Sequence, residues 1–265
     1  LSGLLGGHSG MQIHEKRGNA VKILGQILEK IEDEISIGEF TSGTFDNVIP
    51  STGKVLVFDT SLEKIEKAKE EVLKENSDLL GNLQIAVKEA KGKAYSKDFS
   101  KRVIKMVNTM PTGVNTFMKD GKTVESSDNL ALIKEEDGNL KSEISLRSSN
   151  HEALDELREK IGKILDENSL AYTIGAVYPG WEYNENSKLR PLAEKVYKEM
   201  EGKEFDTIVI HAGLECGCFY EKYPHLDIIS IGPNISGAHS PEEKLEIKSC
   251  QRVFAYVKKL LEEIK

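Results

Sequence analysis

The sequence is poor in cysteine, in aromatic residues and in long apolar runs, and these scarcities exclude several classes of protein. There are three cysteines in 265 residues, and the two-residue spacing of Cys216 and Cys218 suits reduced thiols better than a disulfide framework. No apolar run approaches the roughly 18 residues of a membrane span, and the first residues lack the basic start and apolar stretch of a signal peptide. We therefore expect a cytoplasmic protein with no membrane partner.

A net positive charge is lacking as well, because acidic residues outnumber basic ones, and this argues against nucleic acid as a partner. The formal net charge is −8, whereas affinity for a phosphate backbone depends on clustered Lys and Arg. Aromatic residues make up 6% of the chain and leave little for a base-stacking surface. With 38% apolar residues the chain can bury one sizeable core or two modest ones, so one or two domains are expected.

Apolar periodicity and turn residues predict alternating helices and strands. The expected helices are 17–32, 61–80, 97–109, 150–167, 188–201 and 242–263. The expected strands are 35–45, 53–59, 82–89, 127–135, 140–147, 169–177, 206–210 and 226–231. Asp137-Gly138-Asn139 is a strong hairpin signal. The sequence changes character at Pro179-Gly180, so we expect a domain boundary near residue 178.

Two polar loops near the C-terminus, 211–217 and 230–243, each follow an apolar strand. The second loop contains His239 in a His-Ser-Pro-Glu turn, which puts an imidazole at the carboxyl edge of a sheet, where α/β enzymes collect ligands and metals. The same turn is equally a helix start, with Ser240 as N-cap and Pro241 at the first helical position. Both interpretations can hold together.

Five further motifs occur in an order that points to one family: Gly-Gly-His-Ser-Gly at 6–10, Arg-Gly-Asn-Ala at 17–20, Asp-Asn-Val-Ile-Pro at 46–50, Leu-Arg-Ser at 146–148 and Tyr-Pro-Gly-Trp at 178–181. With the two polar loops, they resemble the C-terminal part of the dinuclear-zinc peptidases that include aminoacyl-histidine dipeptidase, carnosinase and peptidase T. The similarity extends over nearly the whole chain.

The resemblance implies a fold in two parts. Residues 1–178 match a lid and dimerisation domain, and their predicted elements form an α+β sandwich with helices on one face of a mainly antiparallel sheet. We expect its first strand to be missing. Residues 179–265 match the C-terminal part of an α/β catalytic domain, whose remaining strands, most metal ligands and general base would come from a segment before Leu1.

The resemblance also implies roles for five residues. His239 matches the family's final zinc ligand. His8 matches the lid histidine that reaches into the partner subunit's active site and stabilises an oxyanion. Asn47 and Arg147 match positions that hold the substrate carboxylate or neighbouring oxygens, a task that suits the planar fork of arginine. Gly213 matches a glycine that contacts substrate.

Three of these candidates also have a simpler interpretation. His8 fits a solvated loop histidine, Asn47 a turn residue and Arg147 an exposed strand charge. Gly213 follows the predicted strand 206–210 and could open the next helix with exposed backbone N–H groups, an anion-binding arrangement that agrees with contact to substrate. His211 at the end of a predicted strand fits a histidine that is satisfied inside the fold.

The function implied is zinc-dependent hydrolysis of small Xaa-His dipeptides by a homodimer. A complete site would hold two zinc ions, this chain would supply one ligand, and the chain alone is expected to be inactive. The first alternative is a non-catalytic lid and dimerisation module. A less favoured alternative is a thiol amidase that uses Cys216 and His211, because a buried, inert thiol is the commoner fate of such a cysteine.

Overall fold

A computed structural model describes residues 1–32, 35–79, 81–175, 179–211, 215–237 and 243–264. The chain divides into two compact units. Unit 1 comprises Leu1–Val177 with Ile210–Ala212, and unit 2 comprises Tyr178–Val209 with Gly213–Lys265. None of the described helices combines the length and apolar character that crossing a membrane requires.

Unit 1 contains seven strands and four helices in its described residues. In chain order they are β1 (Ser2–Leu4), α1 (Ala20–Lys30), β2 (Ser36–Ser42), β3 (Gly53–Phe58), α2 (Leu62–Glu75), β4 (Gly81–Gln84), α3 (Lys97–Thr109), β5 (Gly113–Phe117), β6 (Val124–Glu136), β7 (Asn139–Ser148) and α4 (His151–Glu167).

The long strand β6 organises the main sheet of unit 1. It pairs with β7 along its length, with β5 near its start and with β2 near its end, and β2 in turn pairs with β3. All of these pairs are antiparallel, and β1 and β4 form a separate two-stranded sheet. The expected mainly antiparallel sheet with packed helices is therefore confirmed.

Helices α1, α3 and α4 pack against this sheet and form one core with it. The largest fully buried side chain of the core is Phe40 on β2. Gly25 permits the close approach of α1 to α3, because a Cβ there would lie 2.5 Å from Cγ1 of Val107. Lys22 of α1 donates to three carbonyl oxygens at the end of α3, where the helix dipole favours a cation.

The β6–β7 hairpin follows its predicted turn chemistry. The two-residue loop is Asp137-Gly138, and both residues have positive φ, 53° and 75°. That conformation characterises a type I′ turn and favours Asp-Gly. The predicted helix 97–109 is also confirmed, and Ser96 caps its first turn by accepting a hydrogen bond from the Phe99 N–H.

Unit 2 consists of α5 (Leu189–Glu201), α6 (Glu215–Lys222), β8 (Ile235–Ser236), β9 (Lys244–Leu245) and α7 (Ile247–Glu263) in its described residues. Its core is the contact between α5 and α7, where Ala193, Val196, Tyr256 and Leu260 are buried. The Tyr256 hydroxyl donates to the Ala193 carbonyl oxygen at 2.8 Å.

A second apolar face of α7 lies in water. Ile247, Phe254 and Leu261 follow one another at seven-residue intervals and are 74%, 76% and 63% exposed. We call this set the α7 stripe. Because seven residues are nearly two helical turns, the three side chains share one side of the helix.

Several predicted elements are wrong. Residues 206–210 and 226–231 are not strands, and neither are the described residues of 169–177, because none of them has a strand neighbour to bond. The predicted strand 82–89 is reduced to β4. The final helix begins at Ile247 rather than 242, after the short strand β9.

Candidate functional site

The turn His8-Ser9-Gly10 forms the centre of the candidate site in unit 1. The Nδ1 atom of His8 accepts hydrogen bonds from the backbone N–H groups of Gly10, at 3.1 Å, and Met11, at 3.0 Å. A neutral imidazole that accepts at Nδ1 carries its proton on Nε2. The turn therefore selects the tautomer in which Nε2 is a hydrogen-bond donor.

The loop around His8 is braced on both sides. The His8 N–H donates to Oε1 of Gln12 at 3.0 Å, and the Gln12 N–H returns a bond to the His8 carbonyl oxygen at 3.0 Å. Arg17 donates to the Gly6 carbonyl oxygen at 2.7 Å and forms an ion pair with Glu15. The simpler interpretation of a solvated loop histidine is disfavoured, since His8 is half-buried in a bonded turn.

The segment that carries Asn47 runs beside this turn. The Asn47 carbonyl oxygen accepts a bond from the Ser9 N–H at 2.9 Å, and His8 pairs with Val48 as an isolated antiparallel bridge. The side chain of the buried Asn129 on β6 donates to the Val48 carbonyl oxygen at 2.8 Å. The backbone of Asn47 is thus tied to both the His8 turn and the main sheet.

Arg147 lies on β7 next to the same turn and is half-buried. Its Nε–H donates to Oγ of Ser9 at 3.3 Å, and this is its one hydrogen bond within the described residues. Burial lowers the pKa of the guanidinium, and the nearby carboxylate of Asp46 opposes that shift. Both terminal nitrogens of the fork have no hydrogen-bond partner among the described residues. The half-burial of the side chain disfavours the simpler interpretation of an exposed strand charge.

His211 is buried close to Arg147. Its Nε2 atom lies 2.9 Å from Oγ of Ser127, the residue opposite Arg147 in the β6–β7 register. Burial first, and then the charges of Arg147, His14 and His8, lower its pKa to about 4. It is a neutral histidine at ordinary pH and is satisfied inside the fold, as the sequence predicted.

A comparison with protein-family models now assigns the chain. The model for peptidase family M20/M25/M40 matches residues 12–263. The chain belongs to this family. The predicted resemblance to aminoacyl-histidine dipeptidase is confirmed by two similar proteins.

Both relatives are peptidases of greater length. The chain is 32% identical to the cytosol non-specific dipeptidase of Escherichia coli (strain K12), an alignment that covers 100% of this chain and 57% of that protein. The crystal structure of aminoacylhistidine dipeptidase from Vibrio alginolyticus matches with a TM-score of 0.79 at 29% identity, covering 100% of this chain and 56% of that one. The chain thus spans little more than half the length of these two relatives.

M20 peptidases generally use metal ions, but no set of residues in the described part of the chain fits one. Across those residues, no three His, Cys, Asp or Glu side chains come together as a metal site would require. The predicted zinc ligand His239 and the predicted substrate contact Gly213 lie outside the described residues. Their roles stay predictions.

The three cysteines are free thiols, as their spacing in the sequence predicted. Cys218 is exposed, so the expected inert burial does not hold for it, while Cys216 is half-buried on α6. Burial raises the pKa of the Cys216 thiol, which disfavours the thiolate that a nucleophile requires. This finding argues against the thiol amidase.

Sequence reasoning missed the polar residues that connect the site. Ser9, Ser127 and Asn129 are buried, and each bonds to a segment that carries a candidate residue or lies next to one. A signal was present in the run Ser-Ser-Asp-Asn at 126–129, because four consecutive polar residues inside one strand must place some of them in the interior.

Proposed function

We propose that this chain is part of a metal-dependent dipeptidase that hydrolyses small dipeptides, including those that end in histidine. The observation that carries the proposal is the half-buried guanidinium of Arg147, which uses only Nε in its described hydrogen bonding and stands beside the oriented imidazole of His8. The names of both relatives, a non-specific dipeptidase and an aminoacylhistidine dipeptidase, support this substrate class.

In this proposal Arg147 binds the C-terminal carboxylate of the dipeptide. Its two terminal nitrogens can donate two parallel hydrogen bonds to the two carboxylate oxygens, a geometry that a lysine does not offer. Ser9 accepts from Nε, so the edge of the guanidinium formed by the two terminal nitrogens stays available for the carboxylate. Asn47 borders the same turn and is proposed to hold a neighbouring substrate oxygen.

His8 is proposed to donate from Nε2 to the oxyanion that forms when the scissile carbonyl is attacked. A donor fixed before the reaction stabilises developing negative charge without reorganisation in the transition state. The two backbone bonds to Nδ1 supply this fixation. Two zinc ions, with His239 as one ligand, would supply the Lewis acid and the nucleophilic water of the complete enzyme.

We further propose that residues 1–178 form a lid and dimerisation domain of a cytoplasmic homodimer. His8, Asn47 and Arg147 all belong to unit 1, so a dimer would present the three together. The alternative, a non-catalytic lid and dimerisation module, would also dimerise through residues 1–178. Sedimentation at micromolar concentration tests the dimer, and a stable monomer would contradict it.

The experiment that tests the function is a binding titration of the chain with the dipeptide Ala-His and with its C-terminal amide. The wild-type chain should prefer the free carboxylate, and Arg147→Ala should weaken its binding by about 30-fold, in line with the loss of hydrogen bonds to a charged group. Arg158→Ala is the matched control, because that arginine pairs with Asp155 on the exposed side of α4.

Hydrolysis of Ala-His with added zinc is measured in parallel. We expect no turnover by the chain alone, because its described residues hold no metal group. Equal affinity of the wild-type and Arg147→Ala chains for Ala-His would refute the carboxylate clamp. Robust turnover by the purified chain would refute the expectation that it is inactive alone.

A further inference from the structure

Ser9 occupies a position in the candidate site to which nothing so far assigns a role. Its side chain is almost fully buried, at 1% exposure, although the turn that contains it begins at the half-buried His8. We propose that Ser9 is a positioning residue that sets the guanidinium of Arg147 relative to His8 and Asn47. The proposal rests on the proposed function for the roles of those three residues.

The two polar groups of Ser9 connect two distant parts of unit 1. Its backbone N–H donates to the Asn47 carbonyl oxygen at 2.9 Å, and its Oγ accepts from Nε of Arg147 at 3.3 Å. Ser9 and Arg147 are 138 residues apart in the chain. One residue therefore fixes both the backbone of the Asn47 segment and the side chain of Arg147.

Gly10, the residue after Ser9, holds the imidazole of His8 in the same turn. The Gly10 N–H donates to Nδ1 of His8 at 3.1 Å. A Cβ at Gly10 would lie 3.0 Å from Cε1 of His8 and 3.5 Å from Cδ of Arg147. Because any side chain at position 10 would press on the imidazole, glycine there lets His8 and Arg147 flank the turn closely.

The hydrogen bond from Nε matters because it orients the whole fork. A guanidinium is planar, so an acceptor at Nε fixes the plane that contains both terminal nitrogens. Arg147 has no other hydrogen bond within the described residues, so no further described acceptor competes to set that plane. Without Ser9 Oγ, the side chain would be free to rotate and would bind a carboxylate less well.

The test is nuclear magnetic resonance of the Arg147 Nε–H group in the wild-type chain, with its signal assigned by its loss in Arg147→Lys. In Ser9→Ala, and in Ser9→Cys, which keeps the size but weakens the acceptor, exchange of this hydrogen with water should be faster by about tenfold. Ser42→Ala is the matched control, because its buried hydroxyl bonds to Thr52 away from the turn. It should leave the Arg147 signal unchanged.

A second measurement links the position of Arg147 to ligand binding. Ser9→Ala should weaken binding of Ala-His by about fivefold, less than Arg147→Ala, because it removes one neutral hydrogen bond and leaves the charge in place. Unchanged exchange at Arg147 Nε in both Ser9 variants would overturn the proposal, as would equal acceleration in Ser42→Ala. A wild-type chain that does not bind Ala-His would refute the carboxylate clamp, and the exchange rates would still decide the role of Ser9.

Discussion

Units 1 and 2 contain similar apolar strand patterns, yet the patterns lead to different structures. In unit 1 the predicted strand 127–135 became part of β6, which has hydrogen-bonded neighbours on both sides. In unit 2 the predicted strand 226–231, and the part of 206–210 that belongs to this unit, form no ladder within the described residues. Ile208, Leu226 and Ile231 of these segments are exposed. The difference shows that an apolar run alone does not make a strand, because a strand also requires a neighbour that satisfies its backbone groups.

The cores differ in the same direction. The core of unit 1 combines a sheet with four helices, while the core of unit 2 is a contact between two helices with four buried residues in the described part of the chain. Since stability grows with the apolar area that is buried, unit 1 should contribute most of the folding free energy. The chain's one tryptophan, Trp181, lies in unit 2, so its fluorescence serves as the probe of that unit.

The largest effect is expected for Phe40→Ala in unit 1. Phe40 is fully buried, and truncation of such a side chain costs about 3–5 kcal/mol in lost transfer free energy and cavity formation. In urea, the circular dichroism midpoint should fall by more than the Trp181 fluorescence midpoint. The control Phe117→Ala, on an exposed side chain of β5, should change little. Equal shifts of both probes in Phe40→Ala would contradict the comparison.

An intermediate effect is expected from the buried carboxyl of Asp128 on β6. Burial raises its pKa to about 6, against weaker lowering by Asn115, Lys160 and Lys22, and its Oδ2 atom has no hydrogen-bond partner among the described residues. Because the folded pKa is raised above the ordinary value of 3.8, the stabilisation is complete below pH 3.8 and is lost as the pH rises to about 6.

The measurement for Asp128 compares unfolding free energies at pH 4 and pH 7.5. The difference between Asp128→Asn and the wild-type chain should change by about 2–3 kcal/mol in favour of the variant as the pH rises. Asp120→Asn is the control that should show little change over this range, since hydrogen bonds from Thr123 and backbone N–H groups lower the pKa of Asp120 to about 2 and its titration lies below pH 4. A constant difference for Asp128→Asn across this range would show that the buried carboxyl is not destabilised.

The smallest effect is expected for Tyr256→Phe in unit 2. The change removes the buried hydrogen bond to the Ala193 carbonyl oxygen and should cost about 1 kcal/mol. The Trp181 fluorescence transition in urea measures this loss. Tyr183→Phe, whose ring is 43% exposed, serves as the control and should leave the midpoint in place. A shift of the unit 1 transition instead of the Trp181 transition would contradict the separate contributions expected of the two units.

Local signals in the sequence predicted local structure well. Helix α3 was predicted from its apolar spacing, and Asp137-Gly138 predicted the hairpin from two adjacent residues. The strands expected at 206–210 and 226–231 failed because pairing depends on residues elsewhere in the chain. The same limit applied to Asp128, since no local pattern tells which residues of a polar run face the interior.

The candidate site combines residues that the sequence predicted with a connection between them that it did not. His8, Asn47 and Arg147 were found through the resemblance to a family, and the chain belongs to that family. Their connection through Ser9 could not be foreseen, because it joins residues 138 positions apart. His239 and Gly213 remain predictions from the motifs alone.

The α7 stripe gives the protein a salt-sensitive surface. Ile247, Phe254 and Leu261 present a band of apolar area about 21 Å long along one side of the helix. Ions such as sulfate are excluded from protein surfaces and strengthen the association of apolar area. They also screen the repulsion between chains that each carry a net charge of −8. Rising concentrations of such salts should therefore weaken the charge repulsion between chains and favour their association through the α7 stripe at the same time.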